Sequence, residues 1–211
     1  MRRLIPILVS GLVLVLPLTA SASPDFARAK KFILEGVIRT STILRSYNQP
    51  RAVVSEELRK ELRDGFDMKA IASFVLGPYE KQITPAQKRR YMKEFEEFIV
   101  QTYTNRVFQF GPKIKSDISD IIRITGETPI GRDQIMLHSQ INRDAAKWVK
   151  IDWRLRERNG KFAILDIVIL GISQLQVYRS EMMAVLRRNG RGVDGLIDAL
   201  RAKNAALRNG K

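Results

Sequence analysis

Few side chains in this sequence can do covalent chemistry. His138 is the only histidine and there is no cysteine. That count removes thiol nucleophiles, Cys/His metal sites, the two-histidine zinc helix and His-based triads. Gly126-Glu127-Thr128-Pro129-Ile130-Gly131-Arg132 has the glycine spacing of a phosphate-binding loop. No Lys-Ser/Thr pair follows it, so the segment reads as a turn. Glu94, Glu96 and Glu97 share a helical stretch with Lys88, Arg89, Arg90 and Lys93, the pattern of a solvated face. His138 falls on the polar side of its segment, as a surface residue. Asp166 alone is out of place, inside an apolar run where an unpaired carboxylate is costly. It is either a buried structural acid, paired with an Arg such as Arg179 or capping a backbone amide, or a general acid. With no second carboxylate beside it, the structural role is favoured.

The run that holds Asp166 extends from Phe162 to Ile172 and is apolar on both faces of a strand. Phe162, Ile164, Val168 and Leu170 fall on one side, and Ala163, Leu165, Ile167 and Ile169 on the other. A strand with one face in water alternates apolar and polar residues. Both faces here call for cover, by protein or by something the protein carries.

The elements that position this strand follow from periodicity. Helical spacing runs from Pro24 to about Ser46 and stops at Asn48-Gln49-Pro50. A second helix covers Arg51 to Arg63 and ends at Asp64-Gly65, with the glycine as a left-handed cap. Asp67 caps a third helix that reaches Leu76. Thr84-Pro85-Ala86-Gln87 is a capping box opening a fourth, which carries Tyr91, Phe95, Phe98, Ile99, Tyr103 and Val107 to about Gln109. From Ile118 the period becomes two. A strand through Ile122 and Ile124 turns at Thr128-Pro129-Ile130-Gly131. A second carries Ile135, Leu137 and Ile141, and a third spans Lys147 to Arg158. Asn159-Gly160 is a type I′ hairpin turn that pairs Arg158 with Lys161, Trp153 with Asp166 and Ile151 with Val168. Ser173 to Arg188 and Val193 to Leu207 are amphipathic helices. The fold class is therefore α+β, a twisted antiparallel sheet of about four strands packed on several helices.

The N-terminus reads as an export signal. Arg2 and Arg3 precede an uncharged apolar run from Leu4 to Leu18, and Ala20-Ser21-Ala22 is a small-x-small cleavage site. Cleavage leaves residues 23–211 as one domain. Removing residues 1–22 takes away two Arg and no acid, so the net charge falls from +15 to +13. An exported chain without cysteine rests on its hydrophobic core alone, which fits the bacterial periplasm. The positive balance points to acidic partners such as anionic headgroups or acidic docking surfaces.

Two segments carry a family resemblance. The first is Phe66-Asp67-Met68-Lys69-Ala70-Ile71-Ala72, then Val75-Leu76-Gly77-Pro78-Tyr79 and Thr84-Pro85-x-Gln87, with Thr102-Tyr103 downstream. The second is Asp166 to Ser173 followed by Tyr178-Arg179-Ser180-Glu181, with Gly195-Leu196-Ile197 near the end. In this order they resemble the MlaC family of phospholipid-binding proteins, also called the toluene-tolerance family, over the whole mature chain. The sequence departs from that family at Glu80, where an aromatic residue is common, and at Leu170, where an acid is common.

The resemblance implies a periplasmic shuttle that maintains outer-membrane lipid asymmetry. Such a protein takes a diacyl glycerophospholipid from an outer-membrane lipoprotein–porin complex and exchanges it with an inner-membrane ABC lipid transporter complex. It acts as a monomer, without cofactor or catalysis. The implied fold is NTF2-like or cystatin-like, with the sheet curled against helices around an apolar cavity. By position, Phe74, Val75, Tyr79, Phe95, Tyr103, Ile151, Trp153, Ile164, Val168 and Tyr178 would line that cavity, and Lys88, Arg89 and Arg90 would meet headgroups or partners. Relatives linked to hopanoid metabolism look similar, so a hopanoid-type lipid is an alternative cargo. An NTF2-like periplasmic enzyme using Asp166 is the rival class. A nucleic-acid binder is disfavoured, because no basic run interleaves with stacking aromatics and export argues against it.

Overall fold

Asp25 starts the first helix by accepting from the amides of Ala27 and Arg28 at 2.9 and 3.3 Å. The computed structural model describes residues 25–110, 121–142 and 148–209. Within them run α1 (Phe26–Arg45), α2 (Arg51–Gly65), α3 (Met68–Leu76) and α4 (Pro85–Phe110). Strands β1 (Ile122–Ile130), β2 (Gln134–Asn142), β3 (Trp148–Arg158), β4 (Lys161–Ile169) and β5 (Ile172–Ser173) follow, then α5 (Gln174–Arg188) and α6 (Gly192–Arg208). The sheet is antiparallel and ordered β1-β2-β3-β4-β5, which makes the fold α+β. The export signal and its cleavage site, Ile118 and Lys147 lie outside the described residues.

The capping reading holds in detail. Asp67 accepts from the Ala70 amide at 2.9 Å. Thr84 Oγ1 accepts from the Gln87 amide at 3.2 Å, while Gln87 Oε1 accepts from the Thr84 amide at 2.9 Å. Other local expectations are corrected. Gly65 is not a left-handed cap but the last residue of α2, and Phe66 leaves the helix in extended conformation. Thr128, Pro129 and Ile130 do not turn the chain; they pair with Met136, Ile135 and Gln134, and the turn falls at residues 131–133.

The apolar run from Phe162 is two strands. It folds back at Leu170-Gly171, so Ile169 pairs with Ile172. The register expected between β3 and β4 holds from Arg158–Lys161 to Leu155–Ile164 and then shifts by one residue. A bulge at Leu165 sets Asp166 opposite Arg154, Trp153 opposite Ile167 and Ile151 opposite Ile169. One inserted residue therefore moves Asp166 and Val168 away from the Trp153 face. Asp166 is buried there as a structural acid. It accepts from Ser173 Oγ at 2.5 Å and from the Leu175 amide at 2.9 Å, fixing the start of α5. Arg179 is not its partner.

Both hairpin turns have two residues at positive φ, Asn159-Gly160 at 50° and 73° and Leu170-Gly171 at 51° and 83°. Asparagine tolerates this region, whereas a leucine there costs about 1 kcal/mol.

Apolar side chains gather in three clusters. One is helical, built on Val75, Leu76, Tyr91, Phe95, Leu196 and Ile197. A second packs Ala29 and Ile33 of α1 on Ile135, Leu137, Trp153 and Leu155 of the sheet. The third joins Ile43 with Val54, Leu58 and Val107. Phe66 packs against the first two and Tyr103 against the first and third.

The acids of α4 are not a solvated face. Arg59 of α2 reaches Glu97 at 2.7 Å and Glu96 at 3.3 Å, Arg208 of α6 reaches Glu97 at 2.9 Å, and Asn204 donates to Glu94. These pairs tie α2, α4 and α6 together. Burial pushes the Glu97 carboxyl up, but the hydrogen bonds from Arg59 and Arg208 outweigh it, and the group sits below its ordinary value of 4.5.

Gly77 and Arg179, from the two motif segments, meet in space. Arg179 Nη1 donates to the Phe74 carbonyl at 2.8 Å, and the guanidinium lies 4.7 Å from the Phe74 ring centre. Gly77 has φ of 55°, and a Cβ there would stand 2.8 Å from Arg179 Nη2. Glycine is needed for the dihedral, and a Cβ would in addition displace the Arg179 guanidinium from its place on Phe74.

Two outcomes follow. Gly77→Ala is expected to cost about 1–3 kcal/mol in urea unfolding. A depressed folded pKa gives Glu97 a stabilising contribution that is present above the unfolded value and lost as pH falls through the folded one. Glu97→Gln is therefore expected to lower stability at neutral pH and to flatten the acid limb below 4.5, read from melting temperature against pH.

Candidate functional site

Alternation on β2 and β3 gives the sheet one apolar face, and α1 covers only part of it. Arg28 pins the start of α1 to the β3–β4 hairpin, pairing with Glu157 at 2.7 Å and donating to the Gly160 carbonyl. Phe32 lies on Phe162 with ring centres 6.1 Å apart. At this end Ile135, Leu137, Leu155, Phe162 and Ile164 are buried. At the opposite end of the same face Ile122, Ile141, Val149, Ile151 and Ile169 are only half-buried. The edge residue Ile172, paired with Ile169, is 58% exposed. Among the described residues, the apolar face is closed at the β3–β4 hairpin and open at the far end.

The same opening is visible along α1. Its residues through Val37 pack with the sheet cluster, whereas Ile43 and Leu44 pack with α2 and α4. Ile38 between them is exposed. Thus α1 changes neighbours along its length, from the sheet cluster to α2 and α4, and Ile122 and Ile141 are only partly buried against the sheet cluster.

The expected lining residues divide between two regions. Ile151, Trp153 and Ile164 share the sheet face, with the Trp153 indole donating to Ser139 Oγ at 3.0 Å. Val75 and Phe95 are wholly buried in the helical cluster, and Tyr79 packs against it. Tyr178 stands edge-on to Phe95 and Phe98 at 6.5 and 6.0 Å, in the same helical cluster as Tyr103. Burial, aided by Tyr103, pushes its phenol well above the usual range. Phe74 is at the surface under Arg179. Val168 pairs with Asp152, off the Trp153 face. The structure therefore does not gather the ten around one space. Ile122, Ile141, Val149 and Ile169, outside the expected set, share the Trp153 face, as their period-two spacing allows.

The opposite face of the sheet corrects one exclusion. A single histidine suffices for a hydrogen-bonded chain: Thr128 Oγ1 lies 2.9 Å from His138 Nε2, and His138 Nδ1 lies 2.9 Å from Asp152 Oδ1. This has the connectivity of a nucleophile, base and orienting acid. It sits on the outer face, and neither groove described below includes it.

Two concave sites are bounded by described residues. One of 560 Å³ is walled by Arg59, Arg63, Glu94, Glu96, Arg201 and Arg208, the ion pairs between α2, α4 and α6. The other, of 700 Å³, lies around Phe74, Gly77, Glu80, Lys81 and Arg179. Both are large enough for a small ligand; the first is lined mainly by charged side chains, the second mixes Phe74 and Pro78 with polar and charged residues, and neither is the apolar cavity expected from the family resemblance. Nor are the basic residues of α4 wholly free for headgroups. Lys88 is paired with Glu80 and Arg90 with Asp194, each at 2.6 Å.

An antiparallel sheet packed against helices in this order has a known structural counterpart. A phospholipid-binding protein of Ralstonia solanacearum, solved in complex with a phospholipid, superposes with a TM-score of 0.70 at 19% identity. The match covers 86% of this chain and 97% of that one. The family model described as MlaC protein matches residues 38–202, and the chain belongs to the MlaC family. A Haemophilus influenzae relative, the intermembrane phospholipid transport system binding protein MlaC, is 26% identical over 162 residues, covering 74% of this chain and 69% of that protein.

The closed and open ends predict a gradient of stability along one strand. Leu137→Ala, at a fully buried position, is expected to cost about 2–5 kcal/mol in urea unfolding. Ile141→Ala, four residues further along the same face, is expected to cost well under half as much. Equal losses would mean that the open end is packed like the closed one.

Proposed function

We propose that this chain is a periplasmic phospholipid carrier, and the observation that supports it most directly is the open end of the apolar sheet face. Two acyl tails expose about thirty methylenes, and leaving them in water would cost on the order of 20 kcal/mol. A carrier must enclose the tails and can leave the headgroup outside. The half-buried row Ile122, Ile141, Val149 and Ile151, on the face that α1 covers, would give an acyl tail an apolar wall. Ile151, Trp153 and Ile164 are the residues of the expected set that lie on this wall. Transfer from bilayer to an apolar pocket is close to neutral in free energy, so cargo can move in either direction without covalent chemistry.

Family membership supports the same reading, as does the phospholipid named for both relatives. We place residues 1–22 as a cleaved export signal and 23–211 as the carrier domain. Among the described residues no helix is long and apolar enough to cross a membrane. The reading extends to a shuttle between an outer-membrane lipoprotein–porin complex and an inner-membrane ABC transporter, acting to keep the outer membrane asymmetric. The enzyme alternative loses Asp166, whose carboxylate is occupied by Ser173 and the Leu175 amide.

The test is native mass spectrometry of the mature protein, purified from a bacterial periplasm without detergent, with organic extraction of the bound mass. Near-unit stoichiometry of a phospholipid is the expected result, and a hopanoid in the extract would reassign the cargo. A protein that stays empty after incubation with phospholipid vesicles would overturn the carrier reading.

A further inference from the structure

The two type I′ turns of the sheet form an internal comparison. Asn159-Gly160 has the residues such a turn favours, and Leu170-Gly171 has the same dihedrals with a leucine in the left-handed position. Among the described residues, no contact offsets the strain at that leucine. Its side chain is 67% exposed, the most exposed large hydrophobic among the described residues, and Ile172 two positions later is 58% exposed. A strained backbone that holds an apolar side chain in water points to a contact outside the chain.

The location says which contact. The Leu170 amide donates to the Lys150 carbonyl at 3.0 Å, which places the tip beside the first residues of β3. Lys150 is exposed, and its ammonium leans on Asp152 at 3.4 Å. Trp148, two residues earlier, carries the Arg123 guanidinium 3.8 Å over its ring. Two exposed aliphatic side chains at the tip, with the cations Lys150 and Arg123 and the Trp148 ring on the other face of the neighbouring strands, match the headgroup boundary of an anionic bilayer, where aromatic rings and basic residues both settle. On the other side, Ile172 pairs with Ile169 and Ile169 with Ile151, so the tip continues into the open apolar end of the sheet.

We propose that the Leu170-Gly171-Ile172 tip is a membrane-touching rim, which inserts its two side chains into the surface of an anionic bilayer while the open end of the sheet faces the lipid. This rests on the carrier reading and adds to it the surface through which cargo would enter and leave. Leu170 stays strained because the residue that best suits the turn would not enter the bilayer.

The test compares the full mature protein with Leu170→Asn and, separately, Ile172→Ser. The assays are co-sedimentation with vesicles of phosphatidylethanolamine and phosphatidylglycerol, melting temperature and bound phospholipid by native mass spectrometry. Leu170→Asn is expected to raise the melting temperature by about 2–4 °C and to weaken vesicle binding about tenfold. Co-purified phospholipid should stay at the native level. Ile172→Ser is expected to weaken vesicle binding without relieving the turn. Native vesicle binding in both variants would overturn the rim. A native protein that ignores vesicles and instead dimerises through Leu170, seen as a sedimentation shift lost in Leu170→Asn, would assign the tip to a second copy and also overturn it. Vesicle binding that depends on Leu170 in a protein empty of lipid would support the rim while defeating the carrier reading.

Discussion

The sheet and the helices are held together by hydrogen bonds from two aspartates, one at each side of β4. Asp67 caps α3, forms an ion pair with Arg156 of β3, and donates its own amide to the Ile164 carbonyl at 3.1 Å. Asp166 closes the start of α5 across the β4–β5 hairpin. Between them Phe66 bridges to Ile164 and packs into both the helical and the sheet clusters. A buried carboxylate such as Asp166 is tolerable only when its oxygens are filled by donors. That requirement fixes where α5 leaves the sheet, while the cap and ion pair of half-buried Asp67 hold the start of α3 against β3 and β4.

The bulge in β4 is the second consequence of that constraint. Without it Asp166 would point toward Trp153, among apolar side chains with no donor to meet it. One extra residue rotates the acid to the helix side while Ile167 takes its place beside Trp153. The strand can then be apolar on both sides, one packed on α1 and the other toward α5. The same shift carries Ile169 and Ile172 onto the open end of the apolar face.

A folded core is usually densely packed from end to end. Here one sheet grades from fully buried Leu137 and Leu155 to half-buried Ile141 and Ile151 within a few residues. The charges are arranged in keeping with this division. The ion pairs of α2, α4 and α6 lock the helical half, whereas α1 is the helix whose buried side chains join the sheet cluster. A helical half tied by ion pairs beside a partly covered apolar sheet is in keeping with the proposed exchange of a tail without unfolding.

What the sequence determined by itself is local. The capping residues Asp67 and Thr84, the alternation of β2 and β3, the Asn159-Gly160 turn and the aromatic spacing of α4 each depend on neighbours within a few positions, and each was legible. So was the family, because its motifs are short and ordered. Only the tertiary structure decided the rest. The bulge at Leu165 depends on where Asp166 finds donors, and those donors come from α5. The role of Glu97 depends on Arg59 and Arg208, 38 and 111 residues away. Tyr178 and Tyr103 meet, while Phe74 and Ile151 do not, because α4 and α5 pack as one layer and the sheet as another. Burial separates plain core from a binding wall, and burial is a property of the packed chain; the residues of both are the same types at the same spacing.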